Sequence, residues 1–237
     1  LSASRHFVCD QTAALYNSDL INASGAQRMA TPKTFLPMSA EQYLAFERAA
    51  EERHEFANGR MYAMAGESLN HSTVCFNIAG RIFAQLVGKS CRGFSPNMKV
   101  CVSETGRYYY PDLSIACGEP VFHDDYKDVL LNPTVVIEVL SPSTEKRDRS
   151  TKLLDYQSIA SLQDYLLIAQ DQPVIEHYSR QADGRWWYQA TRGLDNTVEI
   201  PSIACRLVLA EVYDRIIFPP PIEEDEPEEE YRDPLKR

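Results

Sequence analysis

Asp112 and Glu138 stand in runs whose other residues mostly favour burial, and Lys152 follows them on an amphipathic segment. The first run is Tyr110-Pro111-Asp112-Leu113-Ser114-Ile115-Ala116-Cys117, the second Thr134-Val135-Val136-Ile137-Glu138-Val139-Leu140-Ser141. A continuous Val/Ile/Leu run of this length reads as a strand covered on both faces. Burying an isolated carboxylate there costs several kcal/mol unless it is protonated, paired or bound to a cation. Alternation sets Asp112, Ser114 and Ala116 on one face, so Asp112 has small neighbours and room beside it for an ion. If the two strands lie side by side, both carboxylates converge on one site. Mg²⁺ suits such a setting, with Mn²⁺ as its substitute: one or two protein carboxylates, and waters and a substrate phosphate completing the octahedron. The ion polarises a scissile phosphate and lowers the pKa of a bound water, while a lysine stabilises the charge that develops on phosphorus. These residue types suggest metal-dependent phosphodiester hydrolysis. The bland alternative pairs Glu138 with Arg147 or Arg149 and leaves Lys152 on a solvated helix face.

Around this trio stand further candidates. Glu55 reads either as an additional acidic ligand or water-positioning group, or as a strand-face glutamate bonded to Arg53 or Arg60. His71 shares a stripe with Val74, Cys75 and Ile78, which favours a hydrogen-bonded core histidine over a base. Tyr156 reads as core packing with a polar tip, on one stripe with Asp148, Lys152 and Ile159. Lys146, Arg147 and Arg149 join Lys152 in a basic patch, the candidate phosphate contact. Tyr108-Tyr109-Tyr110 could stack on bases, but strand propensity explains it more cheaply. His71 and Cys75 are four apart on a helix, but nothing nearby completes a zinc set, so a structural zinc is not expected. Ser143-Thr144-Glu145-Lys146 fits S-x-x-K, but S-D-N and K-T-G are absent. There is no P-loop and no dinucleotide fingerprint. A glycosidase pair of carboxylates would leave Lys152 without a role.

The elements that must position these residues follow from periodicity and turn chemistry. Ser39, with Gln42 three residues on, opens a helix to about Ala50. Asn58-Gly59 makes a hairpin that pairs Glu55 with Tyr62, Phe56 with Met61 and Ala57 with Arg60. Asn70 to Val87 is an amphipathic helix with Val74, Cys75, Ile78, Ile82 and Phe83 inward, ending at Gly88. Residues 94–102 and 108–117 form a second hairpin around Glu104-Thr105-Gly106. The strand at 134–141 ends at Pro142, a helix covers roughly 144–160, and Asp164–Ala169 is the next strand. Val174–Ser179 and Arg185–Thr191 make a third hairpin about Asp183-Gly184, and a last extended stretch runs from Thr197 to Val208. Helices, hairpins and a strand–helix–strand unit point to an α/β fold, a mixed sheet flanked by helices.

With 237 residues, 44% of them apolar, the chain suits one domain plus tails. Nothing approaches the roughly 18–20 apolar residues of a membrane span, and the N-terminus lacks a secretory layout. Residues 1–28 show no sustained periodicity and read as a non-native or disordered leader, with the domain over 29–218. Residues 223–237 hold eight acidic and three basic residues beyond Pro219-Pro220-Pro221, so 219–237 read as a disordered acidic tail. The net charge of −10 excludes a general nucleic-acid coat protein and demands a local basic face for any DNA contact. The six cysteines form no C-x-x-C pair, which reads as reduced, buried thiols in a cytoplasmic protein.

Taken together, Pro111-Asp112, Ile137-Glu138-Val139-Leu140-Ser141-Pro142-Ser143, Asp148-x-x-x-Lys152-x-x-x-Tyr156 and Asp164-Tyr165-Leu166 resemble the Uma-type restriction-endonuclease family of the PD-(D/E)XK nuclease superfamily. The resemblance covers about residues 38–213, including Glu55 and His71. It implies a restriction-endonuclease-like core, Asp112 and Glu138 as metal ligands, and Lys152 as the catalytic lysine of an endonuclease acting on DNA. In the superfamily's plain motif the lysine stands two residues after the acidic residue. Here that position is Leu140, and the resemblance implies that Lys152 replaces it from the helix. Cutting both strands of a duplex is most simply done by a homodimer. The rival reading is a nuclease-fold module that binds nucleic acid or a partner without catalysis of its own.

Overall fold

In the computed structural model, which describes residues 37–64 and 66–220, Ser39 and Gln42 cap α1 (Ala40–Glu47) reciprocally. The Ser39 hydroxyl accepts from the Gln42 amide and the Gln42 side chain accepts from the Ser39 amide. The expected leader, and the acidic tail from residue 221 onward, lie outside the described residues. β1 (His54–Ala57) and β2 (Arg60–Ala63) pair in the expected register. Asn58 and Gly59 take φ of 53° and 73°, which a two-residue hairpin turn requires. α2 (Leu69–Leu86) starts at Ser68 and buries Val74, Ile78, Ile82 and Leu86. Phe83, expected inward, is 72% exposed. At 3.6 residues per turn it stands roughly 120° from the centre of the buried stripe.

The expected hairpin of 94–102 with 108–117 divides between two sheets. β3 (Cys91–Phe94) pairs with β6 (Leu113–Cys117), whereas β4 (Lys99–Val102) pairs with β5 (Arg107–Tyr109). Pro96 and Pro111 stand at the two breaks, where a missing N–H cannot continue a ladder. The chain continues through β7 (Val129–Leu130) and β8 (Val135–Leu140). The expected helix over 144–160 is interrupted: α3 (Glu145–Arg147), a π turn at Asp148–Lys152, and α4 (Leu153–Ser158). β9 (Asp164–Ala169), β10 (Val174–Arg180) and β11 (Trp186–Arg192) follow. The last stretch is folded rather than extended. Pro201–Ile203 forms a 3₁₀ turn, with Ala204 at φ 49°, between β12 (Thr197–Ile200) and β13 (Cys205–Val208). α5 (Leu209–Val212) comes last.

These elements make a six-stranded mixed sheet, β11-β10-β9-β8-β6-β3, in which β8 and β9 are parallel. One face carries Ile115, Ile137, Val139 and Leu166 against α2, the β12–β13 hairpin and α5. The other face presents Val136, Leu140, Tyr165 and Leu167 to α4 and to a five-stranded sheet, β2-β1-β5-β4-β7. α1 packs on that second sheet through Tyr43 and Leu44. Glu138 therefore points into the layer between the sheets. Cys91 and Cys117 sit directly opposite each other and are joined by a disulfide, because facing positions of an antiparallel pair bring Cβ atoms together. This corrects the expectation of reduced thiols, which holds for Cys75, Cys101 and Cys205. With it goes the argument from cysteine usage for a reducing compartment.

Candidate active site

Leu113 faces Ile137 across the β6–β8 ladder, so Asp112 arrives at the level of Glu138. Asp112 Oδ2 accepts the Val139 amide at 2.7 Å. Glu138 is 4% exposed, and its Oε1 accepts from Lys152 Nζ and from the Tyr156 hydroxyl, both at 3.0 Å. Lys152 ends the π turn with its Nζ buried, 2.9 Å from Glu55 Oε1 and 3.2 Å from Asp148 Oδ1. Glu55 reaches in from β1 and holds Arg147 through its second oxygen at 2.8 Å, so its partners are Lys152 and Arg147 rather than Arg53 or Arg60.

Asp112, Glu138, Glu55 and Asp148 set four formal negative charges against Lys152 and Arg147. Burial pushes the Glu138 carboxyl well above its ordinary range; Lys152 opposes that rise, while Asp148, Asp112 and Glu55 add to it. Burial alone would lower the Lys152 ammonium, but Glu138, Glu55 and Asp148 outweigh it and hold the proton firmly. Tyr156 is raised by burial and by Glu138, so its hydroxyl stays a donor.

The cluster lines a cleft of about 470 Å³ that also takes in His71, Glu67 and Arg147. His71 Nε2 donates to the Val139 carbonyl at 3.0 Å and lies 3.5 Å from Asp112 Oδ2. Burial lowers its imidazole, yet the Asp112 carboxylate, helped by Glu67 and that carbonyl, raises it above the usual histidine value. The basic candidates do not form one patch: Lys146 is exposed, Arg147 lies over the Tyr62 and Tyr109 rings, and Arg149 pairs with Glu176 at 2.6 Å and with Glu145. Tyr108, Tyr109 and Tyr110 are buried. Asp148 and Glu67 went unassigned in the sequence reading. An i, i+4 spacing to a candidate residue marks each of them, Asp148 to Lys152 and Glu67 to His71. A larger hollow of about 650 Å³ contains a buried Asp164–His177 pair at 2.6 Å. It lacks the lysine ringed by carboxylates that marks the smaller cleft as the candidate site.

The donor set fits a hard divalent cation. Asp112 and Glu138 each spend one oxygen on a protein donor, and among the described residues no donor reaches the other oxygen of either. Both line the cleft, and the formal excess of negative charge matches a dication.

Comparison with known proteins agrees with this architecture. Residues 40–210 match the model of the Uma2 family, described as "Putative restriction endonuclease". The uncharacterized protein sll1609 of Synechocystis sp. is 32% identical over 162 residues, 68% of this chain and 92% of that protein. A second uncharacterized Synechocystis protein, slr1290, is 33% identical over 189 residues, 78% of this chain and 95% of that protein. The crystal structure of "a putative nuclease belonging to DUF820" from Anabaena variabilis superposes with a TM-score of 0.64 at 18% identity. It covers 76% of this chain and 100% of its own, which shows a shared nuclease-like fold. The family match spans well over half the chain, from α1 to α5, and this protein therefore belongs to the Uma2 family.

Proposed function

We propose that this chain is a metal-dependent endonuclease that hydrolyses DNA phosphodiester bonds. The observation that carries the reading is Glu138, buried at the base of the cleft with one oxygen held by Lys152 and Tyr156 and with Asp112 beside it. Asp112 and Glu138 would hold Mg²⁺ or Mn²⁺, which when bound supplies Lewis acidity and a water of lowered pKa. Tyr156 and Lys152 fix one oxygen of the Glu138 carboxylate, and the other is left without a protein donor among the described residues. The Val139 amide does the same for Asp112. Lys152 meets the charge developing on phosphorus. Its three donors already face Glu55, Glu138 and Asp148, so a phosphate oxygen must displace one of them. Asp148 Oδ1, 3.2 Å away and lacking an aligned hydrogen bond, is the partner most readily exchanged. Arg147, on the cleft wall, supplies a further phosphate contact, with exposed Lys146 outside it. Glu55 holds both cations in place.

The same buried ion network favours the rival reading of a binding module without catalysis, because Lys152 is only 3% exposed. Supercoiled plasmid incubated with and without Mg²⁺ or Mn²⁺ separates the two. Nicking that needs the metal, and that is lost in Asp112→Ala and Glu138→Ala, is expected. Either ion should also raise the melting temperature of the wild type and of neither variant. A plasmid left intact, together with unchanged metal responses in both variants, would falsify the shared metal centre.

A homodimer belongs to this reading. Leu69, Phe76 and Phe83 recur every seven residues along α2 and are 82%, 80% and 72% exposed. They offer an apolar stripe for a second copy. Phe76→Glu with Phe83→Glu should turn a sedimenting dimer into a monomer; an unchanged sedimentation coefficient would place the self-contact elsewhere.

A further inference from the structure

Beside the cleft, behind His71 and Asp112, a softer donor joins them. His71, Cys75 and Asp112 each offer a ligand atom, and the three atoms lie within 4.8 Å of one another. His71 and Cys75 share a face of α2 at i, i+4, and Asp112 approaches from the residue just before β6. The Val139 carbonyl can only accept, so in the neutral imidazole His71 Nε2 carries the proton and Nδ1 offers its lone pair. That is the outer contact by which metal-ligating histidines are commonly oriented. Nδ1 faces Cys75 Sγ at 3.5 Å. A tetrahedral ion with Zn–S of about 2.3 Å and Zn–N of about 2.05 Å holds its sulfur and nitrogen about 3.5 Å apart. Glu67 Oε2, just before the Ser68 cap of α2 and partly exposed, lies 3.9 Å from the same nitrogen.

We infer that Cys75, His71 and Asp112, with Glu67 as the fourth donor, form a binding site for a zinc-class transition metal. It is distinct from the oxygen-only site at Glu138 and linked to it through the shared Asp112. Cys75 loses its thiol proton to solvent as the sulfur–metal bond forms. A thiolate and an imidazole select a borderline-soft ion over Mg²⁺. Occupation by zinc engages Asp112 and so antagonises the hard-ion centre. The site itself requires no nuclease activity; its effect on cleavage rests on the function proposed above.

Cobalt, a spectroscopic stand-in for zinc, tests this on the full chain stripped of metal. One equivalent of Co²⁺ should produce a thiolate-to-cobalt charge-transfer band and tetrahedral visible bands, which one equivalent of Zn²⁺ removes and excess Mg²⁺ does not. Cys75→Ser should abolish the charge-transfer band and weaken binding by about 10-fold or more. Glu138→Gln and Cys101→Ser should keep the band. An oxygen-only cobalt spectrum in the wild type, or a band that survives Cys75→Ser, overturns the site. Should Cys75→Ser fail to fold, alkylation of Cys75 in the wild type decides: zinc should slow it by about 10-fold or more, and unprotected Cys75 overturns the assignment. If plasmid cleavage occurs, zinc should inhibit it in the presence of Mg²⁺. A protein that binds cobalt through Cys75 but cuts no DNA sinks the nuclease reading and leaves this site standing. Cleavage without the thiolate band does the reverse.

Discussion

Lys152 keeps three acidic side chains together in a place where water cannot screen them. Glu55, Glu138 and Asp148 all lie within 3.2 Å of its Nζ. Removing one partner of a buried ion network leaves the others uncompensated, at a cost of about 3–5 kcal/mol. Lys152→Met should therefore lower the urea midpoint markedly in metal-free buffer, and added Mg²⁺ should restore more stability to the variant than it adds to the wild type. An unaltered midpoint would mean that the carboxylates hold their own protons. The same change should slow cleavage by about 10²-fold or more. Leu140 occupies the position two after Glu138 and faces the same layer. Leu140→Lys in a Lys152→Ala background should recover part of the rate if an ammonium on that strand can reach the same ion.

At the scale of elements, the site depends on two local departures from regular structure. The π turn begins at Asp148 and ends at Lys152, the two helical residues that meet beside Glu138; one-turn π bulges are frequent at functional sites. The β1–β2 hairpin brings Glu55 to Lys152, and it turns through Gly59 at φ 73°. A Cβ at Gly59 would meet the Met38 carbonyl at 3.5 Å, an ordinary contact. The penalty of Gly59→Ala is thus conformational, about 1–2 kcal/mol, or a drop of about 2–8 °C in melting temperature. Thermal unfolding checks this, and a drop well beyond that range would show that the turn carries packing the geometry does not reveal.

Over the whole molecule, the Cys91–Cys117 bond closes a loop that contains β4 and β5 and ties edge strand β3 to β6. A cross-link over 26 residues removes at most about 3.5 kcal/mol of unfolded-state entropy. The ladder already pairs these residues, so the bond reinforces an arrangement it does not create. Reduction, or Cys91→Ser with Cys117→Ser, should lower stability by up to that amount and leave the metal-induced melting shift in place, because Asp112 lies beyond the other end of β6. Losing the metal response along with the disulfide would show that β3 is needed to hold Asp112.

Local rules were enough for much of this protein. The α1 capping box, the Asn58-Gly59 register, the strands carrying Glu138 and Asp164, and the suspicion attached to Asp112, Glu138 and Lys152 all follow from patterns spanning a few residues. Such patterns report on backbone conformation and on the cost of burying charge, and both are largely local. What lay beyond them depends on contacts distant in sequence. The chain leaves one sheet for another at Pro111, Cys91 meets Cys117, and Glu55 pairs with Lys152 rather than with arginines of its own hairpin. Asp112 joins His71 and Cys75, so a pair that looked incomplete along the chain gains its third donor from the residue just before β6. The tertiary structure decided these because side-chain convergence depends on how sheets and helices stack, and no short period in the sequence encodes that.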